Sequence, residues 1–320
     1  MWLTAAFLSA VFGAMATLLI KQFVKKTDST LATALRTGVV LAVSWAAAWQ
    51  TGSLQAPEGI SLRCMVYILL SGISTALSWL FYYRALTGGD ADKLMAIEKS
   101  SILAALAIAI VFFGERSHLM VKLAGMAVIG IGLLLLLKPG RSEKMSGRFA
   151  DRAFGTGGNA WITFAFLASL FAALNTVFAK LGVTGMSSNL AAALNTSVVM
   201  AVVWAVVLLE AKTGRLQKKP DPEKVPGADS PDRIGNLFSL TSRKEVFWIA
   251  VSGAATGACW LCYYYAVKYG PLSVVVPVNK LSVPVAVVYS HFVFGERMRP
   301  RECAGMAGIV CGMMAVAVFG

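Results

Sequence analysis

Residues 255–297 read ATGACWLCYYYAVKYGPLSVVVPVNKLSVPVAVVYSHFVFGER, and the places where this stretch breaks decide the fold. Two apolar runs meet at a Tyr269-Gly270-Pro271 turn, Asn279-Lys280 lies well inside the second run, and Gly295-Glu296-Arg297 ends it. The same plan occurs earlier: residues 71–116 carry SGISTALSWLFYYRAL, then Gly89, Glu98-Lys99-Ser100-Ser101 and FFGER. At an offset of 181 the two stretches agree at 16 of 46 positions, including Trp79/Trp260, Tyr82/Tyr263, Lys99/Lys280 and the whole Phe-Gly-Glu-Arg ending. The chain therefore contains a duplication, and a site is expected where the two copies meet.

Composition sets the medium. With 57% hydrophobic and 14% charged residues among 320, the chain departs far from a soluble globular protein, and apolar runs long enough to cross a bilayer recur along it. It reads as an all-α integral membrane protein. Met1–Ile20 lacks a basic leader and a small-residue cleavage site, so it is expected to be a retained first span. Runs of helical length fall at roughly 2–21, 30–50, 64–87, 93–113, 119–138, 160–181, 188–210, 246–268, 272–294 and 302–319, which makes ten transmembrane helices. The opening pair repeats too: residues 7–46 agree with 166–205 at 19 of 40 positions, Lys21/Lys180 among them, and Ala124–Ala127 returns as Ala304–Ala307. Five spans per copy is an odd number, so the second copy enters the membrane upside down. The expectation is two inverted five-helix repeats, residues 1–138 and 160–320, an architecture that alternates access around a shared central site.

Two hydrophilic segments interrupt this pattern: the linker 139–159 and an insertion at 211–244, both rich in Gly, Pro, Ser and charge. The glycines at 155, 157 and 158 follow no strand and do not make a phosphate loop. The net charge of +13 lies in the connections between spans rather than along an aromatic-interleaved stripe, so no nucleic-acid partner is expected. One set of loops holds Lys21, Lys25, Lys26, Arg84, Lys93, five basic residues from Lys138 to Arg152, eight from Lys212 to Lys244, and Arg297, Arg299 and Arg301. Basic loops stay cytoplasmic, which on this count puts both termini outside.

An ammonium at the bilayer centre costs about 2.5–3.5 kcal/mol even on the mildest scale, and such a group faces a cavity or a partner unless it snorkels. Lys99 and Lys280, each about two turns inside its helix at matched positions, are therefore the leading candidates to hold an anionic substrate group or to close a gate. Glu98, with Asn279 as its counterpart, is a candidate for a proton or a substrate ammonium, or for an ion pair within the fourth run. Trp79, Trp260, Tyr82 and Tyr263 suit a solute cavity or packing, and Ser101 and Ser282 follow the lysines. Tyr83, Tyr264 and Tyr265 read as an interfacial belt, the Gly-Glu-Arg ends as helix stops whose charges settle at the interface, and Arg36, Asn175 and Asn195 as hydrogen-bonding glue between helices. Pro277 and Pro284 predict a kink in the ninth helix that Ala96 and Leu103 do not give the fourth. Cys259 and Cys262 read as packing. Two histidines, His118 and His291, without a metal or nucleophile motif argue against an enzyme and require no cofactor or metal.

The WLxYY run of the eighth helix, the Pro277-Val-Asn-Lys-Leu-Ser-Val-Pro284 stretch and the Phe-Gly-Glu-Arg ending resemble the EamA-domain proteins of the drug/metabolite transporter superfamily, with the likeness covering nearly the whole chain. Short single-domain members carry an acidic residue where this chain has Asn279. The resemblance implies an inner-membrane carrier that exports amino acids or related metabolites through a central cavity lined in part by the third, fourth, eighth and ninth helices, with the first and sixth as further contributors, and with cytoplasmic termini. Together these readings predict a secondary transporter for a small carboxylated solute. A flippase for a lipid-linked anionic head group is the alternative, and a non-transporting scaffold or sensor is the alternative of another class. The bilayer, the solute and a coupling proton are the expected partners. One fused pair of repeats completes a pathway, so a monomer is expected.

Overall fold

The computed structural model describes residues 1–23, 29–53, 61–88, 97, 100–115, 117–137, 160–213, 243–282, 284–285 and 300–319. These residues form α1 (Trp2–Phe23), α2 (Ser29–Gln50), α3 (Leu62–Gly88), α4 (Ser101–Phe112), α5 (Leu119–Leu137), α6 (Ala160–Val183), α7 (Ser188–Thr213), α8 (Arg243–Tyr269), α9 (Leu272–Lys280) and α10 (Pro300–Phe319). Six of them, α1–α3 and α6–α8, are long and apolar enough to cross a membrane, and α4, α5 and α10 add shorter apolar helices. With no water in the hydrocarbon to satisfy backbone groups, a helix that bonds within itself is the form such sequences take. The chain is a multi-pass, all-helical membrane protein.

Helices from the two halves of the chain interleave. α3 packs most extensively on α6 and next on α7, while α8 packs most extensively on α1 and next on α2. α2 lies on α7, α4 on α9, and α5 on α10. Each half thus supplies partners to the other rather than forming its own core.

Glycines let these crossings approach closely, which matters in lipid, where packing rather than water exclusion holds helices together. A methyl at Gly72 would meet Val198 Cβ at 2.6 Å and the Asn195 carbonyl at 3.1 Å. One at Gly253 would meet Val39 Cβ at 2.7 Å and the Arg36 carbonyl at 3.1 Å. Gly72 and Gly253 are 181 apart, and Val198 and Val39 are 159 apart, so the same contact is made twice with the copies exchanged. The α5–α10 crossing repeats the device: a methyl at Gly132 would lie 2.6 Å from the Gly305 carbonyl, and one at Gly312 would lie 2.8 Å from that of Gly125.

The ninth helix breaks directly after its lysine. α9 ends at Lys280, Leu281 takes φ −59°, ψ −17°, and its N–H reaches back to Val278 O at 3.1 Å, a tighter turn than the α-helical one. Ser100, the matching residue of the first copy, takes φ −61°, ψ −18°, with its N–H 3.0 Å from Ile97 O. The expectation of a kink in the second copy alone is therefore corrected. The first copy has no proline here, but the Ser100 hydroxyl donates to the same Ile97 carbonyl at 2.5 Å and competes with the helical ladder.

Candidate functional site

The break in α9 places a short polar run in the interior. Asn279, Lys280 and Ser282 are partly exposed, whereas every residue from Leu272 to Val278 is buried. Asn279 Oδ1 lies 2.9 Å from the hydroxyl of Ser9 on α1, which also donates to Ala6 O at 2.8 Å. Gly13, one turn further along α1, has room for no large side chain: a methyl there would sit 3.3 Å from Cys259 Sγ and 3.4 Å from Ser282 Cβ. α1, α8 and the turn after α9 therefore converge at Gly13, Cys259 and Ser282. Among the described residues, the Lys280 ammonium has neither a hydrogen-bond acceptor nor an ion-pair partner.

Lys280 closes α9, partly exposed, with no partner among the described residues. Glu98 and Lys99 lie outside the described residues, so their part in this site rests on the repeat in the sequence.

The aromatic candidates divide. Trp79 and Trp260, from α3 and α8, face each other edge-on with ring centroids 6.5 Å apart, so the repeat brings its two tryptophans together. Tyr263 is half-buried, its ring edge-on to that of Tyr264 at 5.8 Å. Tyr82 packs among Ile97, Ala85 and Ala165, and Ser101 is buried with no partner for its hydroxyl among the described residues. Tyr264 corrects the belt assignment: it is 2% exposed, and its hydroxyl lies 3.4 Å from Ser71 Oγ inside the bundle. Tyr265 stays partly exposed, packed on Tyr269 at 4.8 Å. Asn175 and Asn195 meet at Ser71, with their Oδ1 atoms 2.6 and 3.1 Å from its hydroxyl, which is the helix-to-helix bonding expected of them.

Four groups were not legible as functional. Ser9, Gly13 and Cys259 carry no motif, and a serine, a glycine and a cysteine in apolar helices read as packing until α1, α8 and α9 are placed together. Glu115 belongs to the repeated Phe-Gly-Glu-Arg ending, and the structure gives its charge a specific partner at the end of the bundle. Gly114 takes a left-handed φ of 63°, ending α4 as expected, but the Glu115 carboxylate then turns inward. Its two oxygens accept the backbone N–H groups of Leu272 and Ser273 at 2.7 and 2.8 Å, the first of α9.

An interleaved bundle of apolar helices, six of them long enough to cross a bilayer, defines a multi-pass membrane protein. The chain belongs to the EamA-like transporter family, which it matches over residues 1–138 and 159–318. A Sinorhizobium sp. protein described as an uncharacterized transporter in the cobO 3′ region is 34% identical over 160 residues, 50% of this chain and 98% of that one. One crystal structure, 14% identical, superposes with a TM-score of 0.71 over 100% of this chain and 99% of the other, a likeness of fold alone.

Proposed function

We propose that this protein is a secondary transporter that exports amino acids or related small carboxylated metabolites by alternating access. The observation that carries this reading is Lys280: a partly exposed ammonium at a helix break in the bundle interior, with no partner among the described residues. A carboxylate supplies the missing charge, and the adjoining Asn279, Ser282 and Ser9 offer neutral hydrogen bonds to the rest of a small polar solute. Lys99, the counterpart of Lys280, takes the same role from the first copy, with Glu98 beside it, so that the two ammonium groups serve alternately as counter-ion and gate. Trp79, Trp260, Tyr82 and Tyr263 line or support the cavity, with Ser101 behind it.

The exchange of partners supports an inverted arrangement of the repeats. α3 takes α6 and α7 as α8 takes α1 and α2, and α2/α7, α4/α9 and α5/α10 each pair with their own counterpart. A twofold axis in the membrane plane produces this pattern from five spans per copy. We assign residues 1–138 and 160–320 to the two repeats, 139–159 to the linker and 211–244 to a hydrophilic insertion. The protein resides in the bacterial inner membrane as a monomer, with a proton as the coupling ion.

Thermal unfolding of the purified protein against amino acids, organic acids, nucleosides, polyamines and lipid head groups tests the reading, because a ligand that binds the folded state raises its stability by about 2.7 kcal/mol at a hundred times its Kd. Stabilisation by one carboxylated class, lost in Lys280→Ala, is the expected result. Stabilisation by a lipid-linked anion alone would replace the exporter with a flippase.

A further inference from the structure

The first two turns of α9 differ from everything that follows. Leu272, Ser273, Val274, Val275, Val276, Pro277 and Val278 are all buried, on every side of the helix, and exposure begins only at Asn279 and Lys280. Eight residues of helix put Lys280 about 12 Å from the α8–α9 turn. The segment between them is therefore a solid apolar rod, enclosed by α1, α4, α8 and α10. The residues at the same register in the first copy, Ala91–Ile97, read ADKLMAI and carry Asp92 and Lys93, so the apolar rod belongs to the second copy alone.

Opposite charges fix the outer end of this rod. The Glu115 carboxylate caps the two leading N–H groups of α9 at 2.7 and 2.8 Å, at the positive end of that helix. Lys180, from α6, donates to the carbonyls of Val267 and Gly270 at 2.6 and 2.8 Å, at the negative end of α8. Lys122, fully buried, holds the Glu115 segment from below through Glu115 O at 2.9 Å and Ser117 Oγ at 3.1 Å. The turn between α8 and α9 is thus clamped from the α4–α5 connection on one side and from α6 on the other. Gly270 admits the clamp because its position has no room for a side chain, with Trp2 Cε3 2.5 Å from where a Cβ would stand.

The geometry points to residues 272–278 as the plug that closes this end of the transport pathway, and to Glu115 and Lys180 as the latch that holds the plug in place. This rests on the transporter reading: alternating access requires this end to open, and α9 cannot leave without breaking the bonds to Glu115. Both residues act by positioning α9; neither touches the solute.

Cys259, beside Lys280 on the inner side of the plug, is the natural reporter. The full-length protein in sealed vesicles, with Cys64, Cys262, Cys303 and Cys311 replaced by serine, is treated with a charged, membrane-impermeant methanethiosulfonate from each side in turn. A Tyr269→Cys variant in a background lacking all five native cysteines identifies the side that carries the α8–α9 turn. From that side Cys259 is expected to be protected in the parent and labelled at least about tenfold faster in Glu115→Gln, Glu115→Ala and Lys180→Met, with Glu115→Asp closest to the parent. The glutamine variant keeps the size and hydrogen-bonding atoms of the side chain, and unchanged labelling from the opposite side shows that the fold survives. Labelling from the Tyr269 side that is already fast in the parent, or that does not rise in any variant, overturns the latch. The measurement needs no substrate. A ligand found without an effect of Glu115 on labelling sinks the latch alone, whereas labelling that rises in the Glu115 variants with no carboxylated ligand found keeps 272–278 as a plug held by Glu115 and sinks only the carboxylate as its cargo.

Discussion

The crossing of α3 with α6 and α7 and the crossing of α8 with α1 and α2 use one frame and differ in what fills it. Ser71 and Ser252 stand at matched positions, and each bonds across to the carbonyl of a matched residue, Ser71 to Asn175 O at 3.3 Å and Ser252 to Ala16 O at 2.8 Å. Around Ser71 the frame carries Asn175, Asn195 and Tyr264, all within 3.4 Å of its hydroxyl. Around Ser252 the matched positions are Ala16, Arg36 and Tyr83. One hydroxyl proton cannot satisfy two amide oxygens at once, so the Ser71 hydroxyl is shared between Asn175 and Asn195, and the Tyr264 phenol can donate to it in turn. The frame comes from the duplication, and the polar filling diverged on it.

The matched lysines give the largest expected departure from symmetry or confirmation of it. Lys280→Ala and Lys99→Ala are each expected to lower transport at least about tenfold, the equivalent of ~1.4 kcal/mol of lost interaction, with membrane abundance unchanged. Flux into vesicles alongside quantitative immunoblotting reads both. An equal fall in flux and abundance would make the lysines structural, and loss from Lys280→Ala alone would place the site in the second copy.

Next in size are the glycines of the frame. Gly72→Val and Gly253→Val force side chains against Val198 and Val39, where even a Cβ would stand at 2.6 and 2.7 Å. Overpacking of this kind costs about 1–3 kcal/mol, and thermal unfolding should show the same loss in both variants. A loss confined to one would mean that the two crossings do not share a mechanical role.

Smaller again are the serines. Ser71→Ala removes the centre of the four-helix network and is expected to cost about 1.5 kcal/mol. Ser252→Ala removes one bond to a backbone carbonyl already engaged in its helix and should cost about 0.5 kcal/mol, both within the range of polar contacts in membrane bundles. Equal costs would show that the amides around Ser71 add nothing.

Sequence periodicity is legible wherever lipid sets the rule, which is why all ten helices, their starts at Leu119, Ala160, Ser188 and Leu272 and the position of Lys280 were readable in advance. The aromatic and serine assignments were less readable. Tyr264 and Tyr265 are neighbours of one type, and their separation of roughly 100° around α8 sends one to Ser71 and the other toward Tyr269. Glu115 was readable as a repeated acid but not as a cap, because the helix it caps belongs to the other half of the chain, 157 residues away. Cys259 and Gly13 have chemistry too bland to announce a site.

The smallest expected effect tests why the pathway helices break. If prolines cause the turn after Lys280, then Pro277→Ala with Pro284→Ala should straighten α9 and bury the lysine. The first copy argues against this, since Ser100 makes the same turn with Ala96 and Leu103 where the second copy has prolines. Pro284 withholds a backbone donor from the Lys280 carbonyl, and Ser100 bonds the Ile97 carbonyl with its hydroxyl; each accompanies a turn that the other copy makes without it. The double proline variant is therefore expected to keep ligand-dependent stabilisation, with unfolding shifted by less than about 1 kcal/mol, and Ser100→Ala should shift it by a similar amount. If the proline variant loses its ligand response while Ser100→Ala retains it, the bend is enforced in one copy only, and the two lysines cannot take equivalent turns at the solute.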